Sequence, residues 1–181
     1  SGVYCVEDWG CRVAYAGAPS GAKQCVEHAV NAPGDWTRIA PLDPGAGALG
    51  RELEALRLIV KERGDDAPVL HTVFAPLTVA RKLRGDALAD DLRAAPDLVA
   101  GALEAITATV ARYALTALEA GADGLFLATQ TASRDAVSAE ALGRYELPST
   151  RRVAEAVAPR SPLTLLHAHC RDVAFDELAR L

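Results

Sequence analysis

Gly124-Leu125-Phe126-Leu127-Ala128 is a nearly unbroken apolar run, set between Gly121 and the polar stretch Thr129-Gln130-Thr131-Ala132-Ser133-Arg134-Asp135. A run this short and this apolar fits a strand buried on both faces, the environment of a parallel sheet. A central parallel strand needs neighbours of its own kind, and two are present. Val69-Leu70-His71-Thr72-Val73-Phe74 precedes it and ends before Pro76, and Leu163-Thr164-Leu165-Leu166-His167 follows it.

Helices separate these strands. Residues 48–63 carry Leu49, Leu53, Leu56 and Val60 at helical spacing, and Gly64 can stop them. A short helix over 77–84 places Arg81, Lys82 and Arg84 near its C-terminal end, where cations sit well. Pro96 opens the longest helix, 97–120, with Asp97 in its first turn and Gly121 after its last. Its stripe of Val99, Leu103, Ile106, Val110, Tyr113 and Ala117 needs a sheet or another helix to cover it. Further helical regions span 138–158, interrupted near Pro148, and 173–181. Strands alternating with helices read as an α/β unit with right-handed crossovers. Ahead of it, 3–6 and 12–15 are strand-like. Residues 17–47 read as a long irregular connection in which GAPSG at 17–21 is only a turn signal.

Hydrophobic residues make up 50% of the 181-residue chain and charged residues 24%, ordinary for a globular protein. The net charge is -5, with no extended basic tract, so nucleic acid and membrane are not expected partners. The first apolar stretch is broken by Glu7, Asp8 and Gly10, no signal peptide is legible, and no apolar run is expected to reach membrane-spanning length. Cysteines at 5, 11, 25 and 170 match neither CxxC nor a disulfide framework, which suggests free thiols in a reducing, cytoplasmic setting. The absence of Met and the stop at Leu181 inside a helical pattern suggest a processed or partial polypeptide. No GxGxxG, GxxxxGK[ST] or GxSxG pattern occurs, which argues against nicotinamide oxidoreductases, P-loop nucleotidases and α/β-hydrolases.

Ligands of parallel α/β folds bind beyond the strands' C-terminal ends, and polar residues cluster directly after all three apolar runs. His167 and His169 alternate, so both imidazoles can face one side if the strand continues. They can hold zinc with further ligands, line a cleft through hydrogen bonds, or transfer protons. His71, inside a strand, reads as a satisfied core histidine. Gln130 can donate to and accept from a ligand or cap its own loop. Glu7 and Asp8 stand beside Trp9, where a carboxylate can acquire a raised pKa or simply lie in a solvated turn. Lys82 belongs to a cationic helix end that attracts carboxylates or faces solvent.

The stretches TVFAPLTVARKLRG (72–85), APDLVAGALEAITATVARYA (95–114), EAGADGLFLATQTASRD (119–135) and LLHAHCRDVAFDELA (165–179) resemble, in order and spacing, the uroporphyrinogen decarboxylase superfamily. The match begins near Asp43-Pro44. It implies a TIM (β/α)8 barrel, incomplete in this chain, with residues 1–181 forming part of one barrel domain. It also implies a cofactor-free carboxy-lyase of porphyrin and haem biosynthesis, removing carboxyl groups from tetrapyrrole acetates. In that reading Asp8 lies near the family's aspartate segment and steadies the protonated pyrrole ring, and His167 joins it as a catalytic residue. Lys82 falls in the tyrosine segment and Gln130 in the serine segment. With His169 they bind an anionic tetrapyrrole or related small molecule, and the assembly expected is a homodimer. The same superfamily includes zinc- and corrinoid-dependent methyltransferases with a His-x-Cys metal motif after a strand. Here those positions read His167-Ala168-His169, so the alternative is a zinc and corrinoid methyltransferase with both histidines as ligands. A catalytically dead scaffold is the third class.

Overall fold

The computed structural model describes residues 2–15, 17, 19, 21–64 and 67–181, so positions 18 and 20 of the GAPSG turn lie outside the described residues. Three parallel strands form the centre: β3 (Leu70–Phe74), β4 (Gly124–Thr129) and β5 (Leu163–Ala168), in the order β3-β4-β5. Phe74 pairs with Ala128, and Ala128 with His167, so the three C-terminal ends lie side by side. Alternate residues divide the sheet. Val73, Leu125 and Leu127 point into the core, while Thr72, Phe126 and Leu165 share the opposite face.

Helices α3 (Pro76–Arg84), α4 (Leu88–Ala94) and α5 (Pro96–Glu119) connect β3 to β4. Pro76 at the first turn of α3 and Pro96 at that of α5 cost no hydrogen bond there and preset φ for a helix. The expected stripe of α5 is buried and packs against β3, β4 and α7 (Leu147–Val157). By length and hydropathy (1.3) α5 is apolar enough to cross a membrane, contrary to the sequence expectation, but 56% of that window is buried inside the fold. Between β4 and β5 the chain does not break at Pro148. It runs from α6 (Ala139–Ala141) through a π-helical turn (Leu142–Glu146) into α7, with Pro148 in α7's first turn, where proline is tolerated. The expected 173–181 helix is only α8 (Phe175–Leu178).

Two N-terminal expectations fail for lack of local signal. Residues 3–6 form a helical turn, α1 (Tyr4–Glu7), in which Val6 is fully buried and Tyr4 Oη donates to the Thr72 carbonyl at 2.7 Å. The 17–47 connection holds strand β2 (Lys23–Glu27), antiparallel to β1 (Arg12–Tyr15), with Val13 opposite Cys25. It also holds a 3-10 turn (Pro33–Arg38) whose Trp36 is 1% exposed and donates to Asp91 at 2.8 Å. Arg84 Nε donates to the same carboxylate at 2.7 Å, so the segment is tied to the helix layer rather than loose.

The expectation of a partial TIM (β/α)8 barrel is corrected. The strands make a two-stranded antiparallel hairpin and a three-stranded parallel sheet, a mixed α/β fold not closed into a barrel. Closure requires the first and last strands to share a ladder. Among the described residues β3 and β5 each pair only with β4, and the hairpin joins neither. The alternation of strands and helices was read correctly; the barrel came from resemblance alone.

Helix α2 (Gly47–Arg63) buries Leu49, Leu53 and Leu56, and its N-terminus is capped from a distant part of the chain. Asp8 accepts from Ala48 N (2.8 Å) and Leu49 N (3.0 Å), one oxygen each. Gly47 has φ 57, and a Cβ there would collide with that carboxylate. An anion at a helix N-terminus satisfies orphan donors and complements the helix dipole. Asp8→Ala is expected to cost about 1–2 kcal/mol in chemical denaturation, and Asp8→Asn clearly less. His71 Nε2 lies 2.7 Å from Tyr113 Oη, and burial pushes His71 down to about 4. The native state thus excludes a proton that the unfolded chain takes up near the ordinary histidine pKa. This contribution is complete above about pH 6.5 and fades as pH falls toward 4. Stability should drop by roughly 2 kcal/mol between pH 7 and 4.5, an increment absent in His71→Gln.

Candidate metal centre

Cys11, Cys25 and His28 offer ligand atoms that all lie within 4.8 Å of one another. The β1–β2 hairpin creates this cluster. Cys11 enters β1, Cys25 lies within β2 opposite Val13, and His28 follows the last residue of β2. Cys25 Sγ stands 3.6 Å from His28 Nδ1. That nitrogen is also 3.0 Å from the Lys82 carbonyl, and Cys11 Sγ lies 3.9 Å from the same oxygen. Gly85, at φ 72, permits the close packing of the His28 ring, because a Cβ there would stand 3.0 Å from Nε2.

The donor set fits zinc. A tetrahedral ion with Zn–S near 2.3 Å and Zn–N near 2.0 Å has S···N edges of roughly 3.5 Å, close to the Cys25–His28 separation. Two thiolates and an imidazole leave one of four positions for a ligand that is not protein, the arrangement of catalytic rather than structural sites. Burial, with a smaller contribution from the neighbouring Cys25, pushes the Cys11 thiol up to about 12, so binding a cation must expel that proton. The expectation that no cofactor is needed is therefore corrected by a cluster suited to a metal. Because their spacing matches neither CxxC nor a disulfide framework, these cysteines read as free thiols in the sequence. The available signal was Cys25-x-x-His28, with the third ligand hidden fourteen positions upstream of Cys25, just before the partner strand.

The residues selected from sequence fall in two places. Asp8 caps α2, with both oxygens engaged. The other four gather at the C-terminal end of the sheet. Lys82 Nζ lies 4.7 Å from the Phe74 ring centroid. Gln130 follows β4, with its N–H donated to Thr78 Oγ1 at 2.8 Å and its carbonyl accepting from Arg81 at 3.2 Å. His167 stacks between Phe126 (4.8 Å) and His169 (5.8 Å), so the two imidazoles do face one side. His169 N donates to the Thr129 carbonyl at 2.9 Å, holding the β5 exit against β4. Lys82 joins the two places where chemistry can occur: its carbonyl faces His28 while its ammonium lies over Phe74.

A family model described as Uroporphyrinogen decarboxylase (URO-D) matches residues 4–180. The curated relatives are more specific. The chain is 26% identical over 161 residues to "Methylcobamide:CoM methyltransferase MtbA" of Methanosarcina mazei and 25% identical to that of Methanosarcina acetivorans. Each match covers 89% of this chain and 47% of the relative, so the chain spans about half the length of the curated relatives it matches. A solved methyltransferase from Methanosarcina mazei shares the fold with TM-score 0.71 at 23% identity, over 94% of this chain and 50% of that one. These relatives and the Cys/Cys/His cluster overturn the carboxy-lyase expectation, and its haem-biosynthesis setting holds only at the level of the superfamily.

One equivalent of zinc is expected to bind per chain in equilibrium dialysis. Cys25→Ala or His28→Ala should weaken it at least about 100-fold. Affinity should fall by at least roughly tenfold per pH unit on acidification, because the Cys11 proton competes with the metal.

Proposed function

The chain belongs to the uroporphyrinogen decarboxylase (URO-D) family, and we propose that it carries out methyl transfer from a methylated corrinoid to a thiol, with zinc held by Cys11, Cys25 and His28. The observation that carries this reading is the convergence of two thiols and an imidazole in a chain whose curated relatives are methylcobamide:CoM methyltransferases. Zinc, when bound, supplies the Lewis acidity that keeps an acceptor thiol deprotonated at neutral pH.

The protein's own groups do the rest. Cys11 and Cys25 give up their protons to become ligands, so their two charges balance the cation. His28 would bind through the lone pair of Nδ1, the nitrogen that lies 3.6 Å from Cys25 Sγ. In the transfer, the acceptor's sulfur lone pair forms the S–CH3 bond while the Co–CH3 bond breaks. The bonding pair stays on cobalt, which falls from Co(III) to Co(I), and the acceptor's proton has already left to solvent. The stacked rings of Phe126, His167 and His169 would offer the corrinoid a flat aromatic surface at the strand ends, where the Lys82 ammonium also lies over Phe74. His167 and His169 supply two donors where Cys11, Cys25 and His28 supply three, which favours the cysteine-bearing set as the metal centre.

Incubating the zinc-loaded protein with methylcobalamin and 2-mercaptoethanol tests the reading. Loss of the methylcobalamin spectrum and formation of the methyl thioether are expected. The rate should fall at least about 100-fold on chelation or in Cys25→Ala. Transfer that ignores zinc, or none at all, would contradict it.

A further inference from the structure

The proposed methyl transfer leaves Glu146 without a use. It is fully buried inside the π-helical turn, and so are Thr129, Thr131 and Thr150 around it. A buried carboxylate is costly unless donors surround it. Here three hydroxyls donate to it: Thr129 to Oε1 at 2.6 Å, Thr150 to Oε1 at 3.3 Å and Thr131 to Oε2 at 2.8 Å. None of these residues covers the hydrophobic core as an apolar group of the same size would. What they do reach is the end of the sheet.

The direction of each hydrogen follows by elimination. Thr131 spends its proton on Glu146, so the 3.0 Å contact between Thr78 Oγ1 and Thr131 Oγ1 must use the Thr78 proton. Thr78 Oγ1 is then free to accept, and it takes the Gln130 N–H at 2.8 Å. The chain Gln130 N–H to Thr78 to Thr131 to Glu146 thus runs donor to acceptor throughout and ends on the Glu146 carboxyl, whose pKa burial raises and the threonine hydroxyls hold down. A second arm starts at Thr129. Its hydroxyl donates to Glu146 and accepts from Thr131 N (3.3 Å) and Ala132 N (3.1 Å), while its carbonyl takes the N–H of His169 at 2.9 Å. Both arms end on residues at the sheet's ligand-facing end, one after β4 and one after β5.

We propose that Glu146 is the positioning residue for that end of the sheet, fixing Gln130 through Thr131 and Thr78 and His169 through Thr129, so that both side chains are presented to the methyl donor. The identity of the ligand rests on the methyltransferase reading above; the positioning itself does not. The π turn is the local device that delivers the carboxylate inward, and such turns concentrate at functional sites.

Glu146→Gln keeps the volume but places an NH2 where one arm needs an acceptor, whichever way the amide turns. Thr131→Val cuts only the arm to Gln130 and leaves Glu146 bonded to Thr129 and Thr150, so it serves where Glu146→Gln fails to fold. In the folded variants, hydrogen exchange at the Gln130 amide should accelerate at least tenfold with core amides unchanged. With zinc-loaded protein, KM for methylcobalamin should rise at least tenfold while kcat stays within about threefold. A Thr131→Val protein with wild-type exchange at Gln130 would overturn the positioning role. So would wild-type KM alongside accelerated exchange, because the ligand would then not read the placement. Absence of transfer by the wild-type protein counts instead against the methyltransferase reading, and amide exchange still decides the positioning.

Discussion

The candidate centre depends on the docking of the β1–β2 hairpin onto the last turn of α3. The final carbonyls of a helix have no partner within the helix and must find one outside it. In α3 they find the chain that follows β2. Lys82 O lies 3.0 Å from His28 Nδ1, and Leu83 O accepts from Val30 N at 3.1 Å. Arg84, at the end of the same turn, donates to Asn31 O at 3.0 Å and to buried Asp91. These bonds fix where β2 ends, and therefore where Cys25 and His28 stand relative to Cys11. A thiol just before β1, a thiol within β2 and an imidazole on the following loop become one ligand set because a helix end needed partners.

The same helix begins immediately after β3, so the constraint reaches the sheet. Lys82 contributes at both levels, with its carbonyl in the cluster and its ammonium over Phe74. The strand ends next to Phe74 are ordered by a different kind of interaction: a single buried carboxyl that accepts from three threonine hydroxyls and, through Thr131, aligns a fourth, that of Thr78. An apolar residue in place of Glu146 would fill the space but orient nothing. A buried polar group of this kind is weak evidence for stability, and here the groups it arranges stand at the C-terminal ends of β4 and β5.

Much of the fold was legible because burial on both faces leaves a local mark. The runs at 69–74, 124–128 and 163–167 are strands within a residue of the expected limits, and the stripe of α5 is buried as its spacing requires. Residues whose structure depends on distant partners were not legible. Lys-Gln-Cys-Val-Glu at 23–27 has no strand-like run of its own and is extended because β1 pairs with it. Tyr4-Cys5-Val6 has strand composition but no ladder to join. The barrel followed from resemblance, and no strand among the described residues closes it. At the site, the polar tips of the strands were read correctly as neighbours, since adjacency after a buried strand is a local property. The metal ligands were not, because Cys11 meets Cys25 only through hairpin register. Glu146 also escaped notice: a lone carboxylate before Pro148 carries no periodic signal, and only the π turn directs it inward.

Zinc K-edge X-ray absorption on the zinc-loaded protein tests the central claim most directly, because it reports the atoms that the hairpin and α3 bring together. The account predicts two sulfur scatterers near about 2.3 Å and one imidazole nitrogen near about 2.0 Å, with a light or sulfur ligand completing the shell. A first shell of nitrogen and oxygen alone would contradict it, placing the metal at His167 and His169 and leaving the cysteine cluster without a role.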